Sequence, residues 1–308
     1  MNKYIIALFI ALSATSFSSI FIRLTPASAL VIAFWRQFLA SIFTFLLIIF
    51  SKQFKHSVNF SRNNFLYFLL AGFFLALHFA TWILSLSYTT IAQSLVIVNA
   101  SPAMVVILGY LFLNEHINRY QISGIVISII GGFVIAFDSI QPSIQASNPA
   151  FGNFLAFIGA LTFSGYIIIG RIIRKTYQIN LFIYTFYVYT ISTIFLFLIA
   201  LLFSSQELVL SLVFRISFYA YVGFFLLAGV STLLGHSLYN YALKEIKAAI
   251  VSIVTLGEPI ISSILAIFIL SEYPTIMTII GGFIVILGVF VTIGKENEEE
   301  STQLEIMN

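Results

Sequence analysis

Two ionisable side chains stand inside apolar runs, where charge is costly. Glu258 directly precedes Pro259 in Leu256-Gly257-Glu258-Pro259, and Arg36 lies in Phe34-Trp35-Arg36-Gln37-Phe38. Such a residue must face protein or water, or snorkel to an interface. Arg36 has two readings: snorkelling to the outer headgroups, or lining the outer part of a cavity. Proline removes a backbone donor and frees a carbonyl one turn earlier. A glutamate beside it can accept a proton, pair with Arg36, or take a hydrogen bond across a helix interface. Glu258 and Arg36 are therefore expected to act in coupling or as a polar lock.

A second set combines imidazoles with aromatic rings. His78 precedes Trp82 by one helical turn, and His236, Tyr239 and Asn240 share a face at spacings of three and four. Ser94 and Asn99 add polarity nearby. Stacking, cation–π contact and hydrogen bonding from these seven residues suit an amphipathic or cationic organic solute. Ser13, Thr15, Ser16, Ser18 and Ser19 make the first apolar run small and polar, able to pack closely or line a path.

Other chemistries are poorly supplied. Cysteine is absent and the four histidines have no metal-ligand spacing, so no metal and no cofactor are expected. HExxH, GxSxG, Walker A and Asp-rich diphosphate motifs are missing, and Asp138 is the sole aspartate, which disfavours an enzyme. The 14 scattered Lys and Arg cannot assemble a nucleic-acid surface.

The elements that hold these residues follow from composition. Apolar residues make up 60% of 308, and charged residues only 8%, far below a soluble surface. The chain reads as an all-α polytopic membrane protein, since continuous apolar runs of this length in lipid must satisfy their backbone as helices. Ten spans are expected: 4–22, 30–50, 64–85, 91–113, 119–137, 151–170, 181–203, 218–240, 249–270 and 275–293. The first is read as a span because no small-x-small cleavage site follows a short apolar segment. With Met1 cytoplasmic, eleven basic residues fall inside: Lys3, Lys52, Lys55, Arg62, Arg119, Arg171, Arg174, Lys175, Lys244, Lys247 and Lys295. Only Arg23 and Arg215 fall outside, a strong positive-inside bias with both termini cytoplasmic.

The halves repeat at an offset of 157. Phe68-Leu69-Leu70-Ala71-Gly72 matches Phe225-Leu226-Leu227-Ala228-Gly229, and Pro102, Glu115, Gly124 and Gly131 match Pro259, Glu272, Gly281 and Gly288. Five spans per unit is odd, so the second unit would cross in the opposite sense. The expected organisation is 1–137 as the first five-helix repeat, 138–150 as an external linker, 151–293 as the second repeat, and 294–308 as an acidic cytoplasmic tail. Inverted repeats suit alternating access around a midplane site. Pro102 and Pro259 would bend the fourth and ninth spans, with Glu115 and Glu272 as hinge or interface anchors. The glycines of the fifth and tenth spans indicate close packing or a dimer surface, leaving monomer or homodimer open.

These features resemble the EamA-domain transporters of the drug/metabolite transporter superfamily over nearly the whole chain. Arg36-Gln37-Phe38-Leu39 resembles the arginine-containing second helix, and Ser101-Pro102 through Leu113-Asn114-Glu115 the fourth-helix ending. Glu258-Pro259 through Leu270-Ser271-Glu272 is similar to the ninth-helix pattern, with Ser271 and Asn114 where glycine is usual. The resemblance implies a multi-pass carrier of the bacterial inner membrane moving a small organic metabolite, with export as the first expectation; protons as a coupling ion are the expectation from Glu258 itself. An importer or exchanger of S-adenosylmethionine type is the second, and a non-transporting scaffold the third.

Overall fold

The computed structural model describes residues 2–51, 62–113, 119–138, 147–203 and 216–294. Its helices are α1 (Asn2–Ser16), α2 (Ser18–Leu24), α3 (Ala29–Phe50), α4 (Arg62–Ser85), α5 (Ile91–Val98), α6 (Ser101–Leu113) and α7 (Arg119–Asp138). They continue with α8 (Pro149–Arg171), α9 (Leu181–Phe203), α10 (Phe218–Leu226), α11 (Ser237–Ala242), α12 (Ala248–Val254), α13 (Gly257–Leu270) and α14 (Ile276–Gly294). Caps begin several of them: Asn148 with Pro149 starts α8, Ser217 starts α10 and Thr90 starts α5.

The outer surface is apolar, and polar and charged side chains are buried among the apolar core, an inversion of the soluble pattern. Phe9, Phe112, Phe133, Phe268 and Phe290 are exposed, whereas Arg36, Gln37, Ser94 and Asn240 are wholly buried. Lipid as the surrounding solvent accounts for that inversion, because outward apolar groups lose nothing there. Among the described residues, seven helical stretches are long and apolar enough to cross a membrane, and Ile122–Val134, Gly257–Leu270 and Ile276–Gly288 are shorter apolar helices.

Three expected spans are broken rather than continuous. The first divides at Phe17, where the Thr15 and Ser16 hydroxyls turn back to the Ala11 and Leu12 carbonyls. Such back-bonding bends helices, and the Ser262 hydroxyl donates to the buried Ser16 carbonyl at 2.7 Å. The fourth divides between α5 and α6, and the ninth between α12 and α13. Both breaks fall just before the prolines, which occupy the second and third positions of α6 and α13. A proline there lacks an N–H that the first helical turn cannot use anyway. The eighth span holds a π-helical stretch, Leu227–His236, in which the Thr232 hydroxyl donates to the Leu227 carbonyl five residues back at 3.0 Å.

The glycine faces pack within the chain: α7 lies against α14. A Cβ on Gly131 would sit 2.7 Å from the Gly281 oxygen, and one on Gly288 would sit 2.6 Å from the Gly124 oxygen. Those surfaces are therefore occupied without a second copy. Gly131→Ala or Gly288→Ala should push the helices apart and destabilise by about 1–3 kcal/mol. Thermal unfolding in detergent checks this, with Gly132→Ala, whose Cβ meets nothing within 4 Å, expected to be neutral.

Candidate functional site

An internal cavity of about 30 Å³ lies where the broken helices meet, with room for roughly one water. Each break contributes to its wall: Val98 and Asn99 at the fourth span, Thr255 and Glu258 at the ninth, Thr15 and Ser18 at the first. Discontinuous helices leave carbonyls and N–H groups unused, which is why such breaks occur beside polar cavities.

His78, Trp82, Asn99, His236, Tyr239 and Glu258 all line this cavity, converging from the third, fourth, eighth and ninth spans. His78 Nδ1 donates to the Gly159 carbonyl at 3.0 Å, since a carbonyl can only accept, and its ring stacks on Trp82 at 5.7 Å. The His78 and His236 rings lie 6.2 Å apart. Thr15 and Tyr239 hydroxyls donate to the same Glu258 oxygen at 2.5 and 3.2 Å.

Ser94 and Asn240 do not line the cavity. Ser94 exchanges a hydroxyl hydrogen bond with Ser85 at 2.6 Å, joining α5 to α4. Asn240 donates to Tyr166 and, at 2.7 Å, to the His236 carbonyl. It shares a helix face with His236, but that face is wide enough to reach α8 as well as the cavity. Phe163 and Thr255 are lining residues outside the sequence-derived set. Thr255 carried one signal: it is the repeat mate of Val98, and both stand at breaks.

Arg36 does not snorkel. It is fully buried, donates from Nε to Thr232 at 2.8 Å and from Nη1 to Ser18 at 2.8 Å, and lies 4.1 Å above the Phe79 ring. Ser18 lines the cavity, so Arg36 stands one layer behind its wall. Among the described residues, no carboxylate comes within ion-pair distance of Arg36, and Nη2 has no partner. The direct Arg36–Glu258 pair considered from sequence is not formed. Pro102 and Pro259 lie beside the breaks as described, and Glu115 lies outside the described residues.

Both ends of the molecule are tied. At one end, Arg23 donates to the Thr89 carbonyl at 2.8 Å and pairs with Glu272 at 3.5 Å. Glu272 in turn accepts from the Ile91 N–H at the start of α5. Burial pushes the Glu272 carboxyl above the usual carboxylate range, opposed by Arg23 and the Ile91 N–H. At the other end, Arg171 donates to the Leu243 carbonyl at 2.6 Å, and Arg174 to the Asn240 carbonyl at 3.1 Å and to Ile179. Tyr4, at the start of α1, packs on Tyr241 beside this second tie, so the first span runs from one tie to the other.

An all-helical membrane protein with broken helices around a small cavity lined by polar and aromatic side chains is built as a membrane transporter. The chain belongs to the EamA-like transporter family, whose model matches residues 2–137 and again 150–294. It is thus a secondary transporter of small solutes and not an enzyme. An uncharacterized transporter, YyaM, of Bacillus subtilis (strain 168) is 24% identical over 287 residues, covering 91% of this chain and 90% of its own. Uncharacterized transporters of Archaeoglobus fulgidus and Clostridium kluyveri are 24% and 29% identical, covering 71% and 66% of this chain and 73% and 64% of their own. A solved crystal structure superimposes with a TM-score of 0.67 over 97% of this chain and 99% of that one, at 12% identity, a likeness of fold. Among the described residues, no group of three or more His, Asp or Glu could hold a metal.

Proposed function

We propose that residues 1–137 and 151–293 are two five-helix units threaded in opposite senses, which carry a small organic solute by alternating access. On this reading ten spans cross the membrane and both termini are cytoplasmic. The observation that carries it is at the α7–α14 contact, where Ser128 donates to the Val285 carbonyl at 3.4 Å. Those two residues are 157 apart, so they are repeat mates in contact, as mates must be beside a twofold axis. The neighbouring contacts exchange under the same operation: Gly131 with Gly281 becomes Gly288 with Gly124.

Packing across the molecule supports the same operation. In one half α8 packs on α4; in the other, α1 packs on the π-helical stretch and α11. The arginine ties also correspond. In each unit an arginine ending the first helix binds a carbonyl following the third, on opposite sides of the membrane. A cavity of about 30 Å³ is too small for an organic solute, so with both ties made solute entry requires one end to open.

Glu258 is the proposed exchange point for a proton and the solute. A single carboxylate cannot hold a proton and a cationic group together, so occupancy by one excludes the other. Mutual exclusion of this kind gives antiport, and an inward proton gradient then drives solute outward. Counterflow of labelled amino acids, nucleosides and organic cations into preloaded proteoliposomes tests the carrier. Saturable, solute-specific counterflow is expected; its absence for every solute, or conductance far above carrier rates, would count against it.

A further inference from the structure

We infer that the carrier changes the side it faces by rewinding the eighth span, with Leu227–His236 passing from π-helix to α-helix, and that Thr232 is the positioning residue whose hydroxyl holds the π form. The inference rests on the carrier reading above and gives that reading its moving element.

Runs of π-helix longer than one turn are rare, and this one covers ten residues. Its repeat mate, residues 70–79, lies wholly within the α-helix α4. One element of the repeat thus stands in two windings in a single molecule. Where two inverted units exchange shapes during alternating access, the winding of one half is open to the other.

Hydroxyl groups select the π form in the second half only. Thr232 Oγ1 donates to the Leu227 carbonyl five residues back at 3.0 Å, the spacing of a π turn, and accepts from Arg36 Nε at 2.8 Å. Ser237 repeats the pattern. Its backbone N–H and its hydroxyl, the latter at 3.3 Å, both donate to the Thr232 carbonyl, and Tyr189 donates to its oxygen at 2.9 Å. The repeat mates of Thr232, Ser237 and Arg36 are Leu75, Ala80 and Thr193. Thr193 turns its hydroxyl to the Tyr189 carbonyl of its own helix at 2.8 Å. At these positions α4 has no hydroxyl to reach five residues back and no arginine to fix one.

Two features prepare the stretch for α winding. Ser231 Oγ is buried without a partner. An α turn brings it the Leu227 carbonyl four residues back, which a serine hydroxyl in an α-helix can take. Gly229 leaves room to turn, since a Cβ there meets nothing within 4 Å; at its mate Gly72 a Cβ would sit 2.5 Å from the Ile191 side chain of α9.

Rewinding reaches both the cavity and one tie. Because α11 follows the stretch directly, a change of winding turns His236 and Tyr239 about the helix axis. It also shifts the Asn240 and Leu243 carbonyls that Arg174 and Arg171 hold. The π form therefore goes with the Arg171 side closed, and the α form with that side open. A rigid helix that merely tilts keeps its length, whereas rewinding changes it.

The test measures that length. Spin labels at Tyr219→Cys, exposed on α10, and Leu238→Cys, partly exposed on α11, flank the stretch in a chain with no native cysteine. Thr232→Val removes the hydroxyl and should shift most of the population to a distance longer by about 3 Å. That is the rise of two residues, since each of two widened turns holds roughly one residue more than an α turn. Thr232→Ser should keep the short distance, and Arg36→Gln should populate the long one. If Thr232→Val does not fold, Ser237→Ala carries the same expectation. In a separate chain, a single cysteine at Val98 in the cavity wall should be labelled by an impermeant reagent about tenfold faster in Thr232→Val. The gain should come from the Arg171 side alone. An unchanged distance in these variants, or lengthening with labelling equal from both sides, would overturn the inference. Saturable counterflow by a protein whose span never lengthens would overturn it while leaving the carrier intact. Lengthening and one-sided labelling without counterflow of any solute would sustain the rewinding and remove the carrier.

Discussion

Proteoliposomes containing Glu258→Gln are expected to lose proton-driven accumulation by at least about tenfold at saturating solute, the scale of one buried charge-assisted contact. Glutamine keeps the size of the side chain and can still accept from Thr15 and Tyr239, so the α1–α11–α13 junction is preserved. What it loses is the ability to bind a proton or offer a full negative charge. Solute exchange without a gradient should then outlast gradient-driven accumulation, and transport should become flat across neutral pH. A variant with the same pH dependence as wild type would remove Glu258 from coupling and leave it as a hydrogen-bonded lock between helices.

Breaking the Arg23 tie should open one side of the molecule only. The chain has no native cysteine, so Val98→Cys places a single reporter in the cavity wall, where Val98 is buried. Adding Arg23→Gln removes the ion pair to Glu272 and the bond to the Thr89 carbonyl together. Labelling of the reporter by a membrane-impermeant thiol reagent should accelerate about tenfold from the Arg23 side, equivalent to ~1.4 kcal/mol taken from the closed state. Arg171→Gln with Arg174→Gln should accelerate it from the opposite side. Acidification should reproduce part of the Arg23→Gln effect. The Glu272 carboxyl sits above its ordinary range, so it protonates at higher pH than an exposed glutamate, and the ion pair to Arg23 is lost as pH falls. Equal labelling from both sides in every variant would show that the ties do not gate.

His78 and His236 are 158 positions apart yet their rings are neighbours, and the near-match of their places in the two halves pointed to one location. Asn240 and Ser94 have the same polarity but bond to Tyr166 and Ser85 instead, because a helix face a few residues wide meets several neighbours. The prolines marked where the fourth and ninth helices divide, but the first helix divides at Phe17 with no proline, through hydroxyl bonds to its own carbonyls.

The amino-acid order alone determined that this is a helical membrane protein, because long apolar runs in lipid have no other way to satisfy their backbone. It also located the costly side chains, since charge within such a run stands out whatever the fold. Tertiary structure alone decided what those side chains face: Arg36 turned inward to Thr232, Ser18 and Phe79, and Glu258 toward Thr15 and Tyr239. Direction around a helix axis is set by which helices pack on which side, and that depends on contacts between residues up to two hundred positions apart or more, which no local pattern encodes.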